Sequence, residues 1–263
     1  MLILLPPSEG KTAPRRGKPL DLARLSFPTL ADARSEVLDS LVTLCTTGAA
    51  GDAGKAAEVL GLGKTQADEV LRNAELTSAP TARADQVYSG VLYEALDLAS
   101  LDSAARRRAT SWVAIASGLF GLVRPGDRIP AYRLSGSVSL PGIGQVSTFW
   151  GGRLDESVRQ AAGRGLVVDL RSSTYASFWR PAPETARRVV TVRVLHEVDG
   201  ERKVVSHFNK ATKGRLVRAL LEDGGGSKTP TGFAQHLREL GWTVELGAAG
   251  RHGTQLDVVV AEL

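Results

Sequence analysis

The sequence predicts a single mixed α/β domain, and three observations carry that prediction. Short apolar runs bounded by turn residues, at Leu2–Leu5, Trp112–Ala116, Leu166–Leu170 and Leu256–Val260, read as buried strands. Stretches with apolar residues at helical spacing lie between them, and such interleaving builds α/β and α+β architectures. The chain has 263 residues, 43% of them apolar, enough to bury a sizeable core. It shows no internal repeat and no composition shift that would mark a linker, so residues 1–263 are expected to form one domain.

The elements follow in order. Leu2–Leu5 ends at Pro6-Pro7, which cannot continue a ladder. Ser8–Lys18 is polar, basic and glycine-containing, hence a loop. Leu30–Leu44 places Leu30, Val37, Leu38, Leu41 and Leu44 largely on one helical face. Ala56–Leu60 and Thr65–Asn73 read as two short helices around Gly61-Leu62-Gly63. Asp85–Leu98 reads as one helix, followed by a basic helix through Arg106-Arg107-Arg108. The region from about residue 30 to residue 108 is thus nearly all helical, an insertion between the first and second strands.

Ser117–Asp127 is rich in turn residues. Leu154–Ala162 is helical, and Ser172 offers an N-cap after the strand Leu166–Leu170. Val189–Glu197 and Lys203–Phe208 flank Asp199-Gly200, a hairpin signal. Ala211–Leu221 and Phe233–Leu240 read as helices, and Thr243–Leu246 and Leu256–Val260 close the chain as strands.

Composition excludes several classes. The 33 Lys+Arg against 28 Asp+Glu leave +5, a charge that suits anionic partners without requiring them. Cys45 is the one cysteine, so neither an intramolecular disulfide nor a cysteine metal cluster can form. The start lacks a secretory pattern, and no apolar run reaches the roughly 18–20 residues of a membrane helix. A cytoplasmic protein without membrane association is expected. The histidines lack metal-ligand spacing, and no metal site or cofactor is expected. There is no Gly-x-Ser-x-Gly elbow and no dinucleotide fingerprint.

Five stretches carry candidate chemistry. Ser8-Glu9-Gly10-Lys11-Thr12 follows a strand but is not a P-loop, since Leu5 stands where the pattern needs its first glycine. It is either an α/β ligand loop or a solvated loop. Leu60-Gly61-Leu62-Gly63-Lys64-Thr65 between two helices fits a hairpin whose backbone N–H groups approach phosphate, or a turn glycine-rich for packing alone. Arg124 through Arg133, with Tyr132, offers planar guanidinium forks for an anion, or pairs internally with Asp127 or Asp169. Asn209-Lys210-Ala211-Thr212-Lys213 places cations at a helix start, where the dipole disfavours them, or forms a solvated basic face. Asp169 through Ser172 precedes a helix start that could cradle an anion or simply be capped.

Together these stretches resemble the bacterial peroxide stress protein YaaA family. The resemblance rests on Leu2 through Thr12, Ser117 through Pro125, Pro130-Ala131-Tyr132-Arg133-Leu134, Phe149-Trp150-Gly151, Val167 through Ser172 with Tyr175, and Val205-Ser206 with Lys210 through Gly214. It implies a mixed sheet of unusual topology, a helix-hairpin-helix element on Gly61-Leu62-Gly63, and a positively charged cleft. Lys11, Arg124, Tyr132, Arg133, Ser172, Lys210 and Lys213 carry over as the lining of that cleft. It also implies DNA binding and a role in limiting iron-linked oxidative damage, with no settled catalytic activity. The chain departs from other members in its longer Pro-Pro-Ser-Glu-Gly-Lys-Thr start and in Ser173-Thr174 where acidic residues stand elsewhere.

Two functional expectations follow. In the first, the chain binds duplex DNA without sequence preference through Lys11, Lys64, Arg124, Arg133, Lys210 and Lys213, with Gly61 and Gly63 donating backbone N–H groups. In the second, it is an enzyme acting on a small phosphorylated or nucleotide-like anion. Glu9, Lys11 and Asp169 would then be the acid–base candidates, because a nonspecific DNA binder has little use for carboxylates beside its cations.

Overall fold

The computed structural model describes residues 1–198, 201–203 and 206–260. Its centre is the strand β1 (Leu2–Leu5), buried on both faces. A strand covered on both sides reads as a continuous apolar run, as this one does. On one side β1 pairs in parallel with β2 (Val113–Ser117), which carries antiparallel β3 (Gly121–Val123). On the other it pairs in parallel with β4 (Val167–Asp169), and β4 with β5 (Val189–Val198). The three-residue β6 (Glu201–Lys203) folds back on β5. The last hairpin, β7 (Thr243–Gly250) and β8 (Gly253–Val260), closes the sheet through a parallel β8–β5 pairing. The order is β7-β8-β5-β4-β1-β2-β3, a mixed sheet in a mixed α/β fold.

The helical insertion follows β1 and comprises α1 (Ala31–Ala50), α2 (Ala53–Val59), α3 (Asp68–Ala74), α4 (Ala84–Val87), α5 (Val91–Leu96) and α6 (Ser103–Trp112). Asp52 caps α2 at the N–H groups of Gly54 and Lys55, and Asp102 caps α6 at Ala105. The single helix expected over Asp85–Leu98 is instead broken into α4 and α5. Gly90 sits at φ +90° between them, a conformation closed to a continuing right-handed helix. Arg34 ties α1 to β3: it is fully buried and donates to the carbonyls of Phe120, Leu122 and Ser26.

Beyond β3 come α7 (Asp155–Ala162), α8 (Ser173–Ala176), α9 (Ser206–Asp223) and α10 (Pro230–Glu239). The strand expected at Lys203–Phe208 is not present, since β6 ends at Lys203 and α9 has begun by Ser206. The turn signal Asp199-Gly200 lies outside the described residues. The insertion leans on the rest of the chain, because α9 packs against α5 through Gly214. A methyl group there would be driven into the Leu92 carbonyl and would sit 2.9 Å from the Ala95 Cβ. Gly214→Ala is therefore expected to cost about 2 kcal/mol, read as a lower urea midpoint. An unchanged midpoint would refute the close approach of these two helices.

Candidate functional site

The loop after β1 leaves the carboxyl end of the parallel strands, where open α/β sheets place their ligands. Three contacts pin it. The Tyr93 hydroxyl donates to the Pro6 carbonyl at 2.7 Å, the Ser89 N–H donates to Ser8 Oγ at 3.1 Å, and the Thr12 N–H donates to the Val87 carbonyl at 2.8 Å. Lys11 is thereby folded inward. Its ammonium donates to the Ser8 carbonyl at 2.8 Å and lies 4.2 Å from the centre of the Tyr132 ring. Tyr132 is buried, with its hydroxyl 2.9 Å from Tyr88 Oη and 2.7 Å from Ser117 Oγ, at the end of β2. Burial lowers the Lys11 pKa to about 7; Glu9 opposes the shift and Arg133 adds to it. Burial raises the Tyr132 and Tyr88 phenols, so both stay protonated and serve as hydrogen-bonding hydroxyls.

The rim of this site is charged. Arg133 pairs with Glu9 at 2.8 Å and also donates to the Glu9 carbonyl. Asn73, at the end of α3, holds the Arg133 backbone on both sides: its Nδ2 donates to the Arg133 carbonyl at 2.8 Å, and its Oδ1 accepts from the Arg133 N–H at 2.9 Å. The Glu69–Arg72 pair of α3 acts on Lys11 electrostatically. At the end of β4, Asp169 forms a buried two-pronged pair with Arg171, whose guanidinium also donates to the Tyr175 and Trp179 carbonyls. Lys213 on α9 donates to the Leu170 carbonyl at 3.0 Å, and burial lowers its pKa while Asp169 opposes.

A family model described as peroxide stress protein YaaA matches residues 1–240. The chain belongs to the peroxide stress protein YaaA family. It is 52% identical to a UPF0246 protein of Streptomyces coelicolor, with both chains covered in full. A UPF0246 protein of Corynebacterium efficiens is 43% identical over 98% of this chain and all of its own length.

Within this YaaA-family fold, the segments around Glu9, Lys11, Tyr132, Arg133, Asp169, Ser172 and Lys213 all stand at the carboxyl end of the sheet. Lys210 is exposed one turn before Lys213 on α9. The helix begins by Ser206, so these lysines lie inside it rather than at its start. Ser172 precedes α8 but makes no side-chain cap bond. Arg124 stands apart: it donates to the Ser111 and Val113 carbonyls, at the amino end of β2. Neither internal pairing expected for the arginines forms as such. Arg133 takes Glu9, Asp169 takes Arg171, and Asp127 accepts the backbone N–H of Arg124.

Gly61 and Gly63 lie exposed in the turn between α2 and α3. The N–H groups of Gly61, Leu62 and Gly63 are engaged by the Glu58 carbonyl, the Ala57 carbonyl and Gln66 Oε1. The Lys64 side chain lies outside what is described. Tyr88, Ser117 and Asn73 went unread in the sequence, because each acts through a partner at least 15 positions away. Among the described residues, no group of three or more His, Cys, Asp or Glu side chains is placed to hold a metal ion.

Proposed function

We propose that this chain serves the response to peroxide stress by binding duplex DNA without sequence preference, through the cationic site at the carboxyl end of the sheet. The observation that carries the reading is convergence. Asn73 of α3 fastens Arg133 beside Lys11, and Lys213 of α9 reaches the Leu170 carbonyl just after β4, so cations from separate parts of the chain meet at the carboxyl end of the sheet, with the exposed Lys210 one turn before Lys213. Cations grouped this way neutralise phosphates and release counterions, so affinity should fall with salt at a slope of about −0.9 per phosphate contacted.

Lys210→Glu combined with Arg72→Glu is the charge-reversal test. Both side chains reach solvent, whereas reversal at Lys213 would strand the Leu170 carbonyl. By fluorescence anisotropy of a labelled duplex, the double variant is expected to lose about two units of salt slope. Absence of wild-type binding at low salt, or unaltered affinity in the variant, sinks the reading.

One observation favours a second reading. A lysine with a pKa of about 7 is a poor fixed phosphate clamp and a good proton acceptor. In that reading a small phosphorylated or nucleotide-like anion is held by Arg133, and Lys11 moves the proton. Thermal stabilisation by a nucleotide, lost in Lys11→Ala, would support it. A nucleotide and phosphate library without effect on the melting temperature would remove it.

A further inference from the structure

Three chain segments run side by side away from the carboxyl-end site. At its near end Lys11 bridges Tyr88, and Tyr88 meets Tyr132. At the far end the Thr81 N–H donates to the Lys18 carbonyl, and the Arg128 guanidinium donates to the Thr81 carbonyl at 2.7 Å. Residues 11 to 18, 88 to 81 and 133 to 128 therefore span the same flank. The most direct of the three, the five residues from Arg133 to Arg128, reaches at most roughly 16 Å.

The flank is cationic along its length. Arg15 and Arg16 are exposed on its outer segment, and neither has an ion pair among the described residues. At the far end, a cavity of about 600 Å³ is lined by Lys18, Arg24 and Arg128. Across the turn at Pro125–Arg128 lies a second cavity, of about 430 Å³, lined by Arg83, Arg106 and Arg107. The acids nearby are already committed. Asp21 caps Ala23, Asp85 pairs with Arg83, and the buried Asp127 takes the Ser26 hydroxyl and the N–H groups of Ser26 and Arg124.

Arg83 and Arg128 face each other in the antiparallel ladder of Ala82–Arg83 with Arg128–Ile129. Asp85 already neutralises Arg83, whereas Arg128 donates to the neutral Thr81 carbonyl and has no ion pair among the described residues.

We propose that the DNA contact is not confined to the carboxyl-end site but runs down this flank, from Arg133 past Arg15 and Arg16 to Lys18, Arg24 and Arg128. The inference rests on the DNA reading above and extends its footprint. A track of this length matches the phosphates of at most about five base steps, at 3.4 Å per step on one strand. Arg128, with Lys18 and Arg24 beside it, holds the distal phosphate.

The test is anisotropy of a labelled duplex across a salt series, with wild type, Arg15→Glu/Arg16→Glu and Lys210→Glu/Arg72→Glu. The loop arginines make no side-chain hydrogen bond or ion pair among the described residues, so their reversal should leave the melting temperature unchanged. The expected result is at least about tenfold weaker binding by the Arg15/Arg16 variant, with about two units less salt slope. Wild-type binding that is weakened at Lys210 and Arg72 but unaffected at Arg15 and Arg16 overturns the flank alone. Absence of wild-type binding overturns the flank together with the reading it rests on.

Discussion

Asp169→Ala is expected to destabilise the fold by about 3–5 kcal/mol, because it leaves a buried guanidinium without its counter-charge. The Arg171 side chain is 1% exposed and that of Asp169 is 9%. Two charge-assisted bonds, at 2.9 and 2.7 Å, disappear with the carboxylate. The Tyr175 and Trp179 carbonyls still accept from Arg171, but neutral acceptors do not balance a charge held out of water. Lys213 loses the carboxylate that offsets its own burial. Asp169→Asn should lose less, since one oxygen acceptor remains. Urea unfolding measures both. A loss below about 1 kcal/mol for Asp169→Ala would show that the carboxylate is dispensable to the fold, and would return Asp169 to the acid–base candidates.

The second large effect is a pH dependence carried by Lys11. In the folded chain its pKa is about 7, against 10.5 for the free side chain, with burial as the main cause. Below pH 7 both the folded and the unfolded chain hold the proton, and the folded chain bears the whole cost of burying it. Between pH 7 and 10.5 the unfolded chain binds more protons than the folded one, so stability rises with pH across that window. Lys11→Met removes this dependence. The variant should therefore be favoured relative to wild type at pH 6 and lose that relative advantage by pH 10, a swing of about 4 kcal/mol. Unfolding curves for the two proteins at pH 6, 8 and 10 test it. Parallel pH profiles would show that Lys11 keeps an ordinary pKa, and with it the proton-acceptor reading would fall.

Much of the fold is legible before any coordinates are considered. Leu2–Leu5 is a strand because four consecutive apolar residues stopped by two prolines suit a position covered on both faces. All of the expected helix Leu30–Leu44 except Leu30 lies within the long α1, and the basic segment through Arg106 is helical. Where the reading fails, a local signal has been overridden. The helix expected over Asp85–Leu98 breaks at Gly90, whose backbone conformation the apolar spacing does not report. The strand expected at Lys203–Phe208 yields to α9, whose packing on α5 depends on a glycine contact across more than 100 positions.

The sequence by itself determined the family, the alternation of strands and helices, and the short motifs that carry charge: Glu9 and Lys11, Tyr132 and Arg133, Asp169 and Arg171, Lys210 and Lys213. These are properties of composition and local spacing. Only the tertiary structure decided which of them meet and in what state. Arg124 fell to the amino end because antiparallel β3 carries it back along β2. Asp169 was taken by Arg171, two positions away, in a geometry that required both to be buried. Lys11 acquired its shifted proton affinity from burial against Tyr88 and Tyr132, with Glu9 opposing the shift and Arg133 adding to it. Charge is written residue by residue, but desolvation and pairing depend on what surrounds a residue in space.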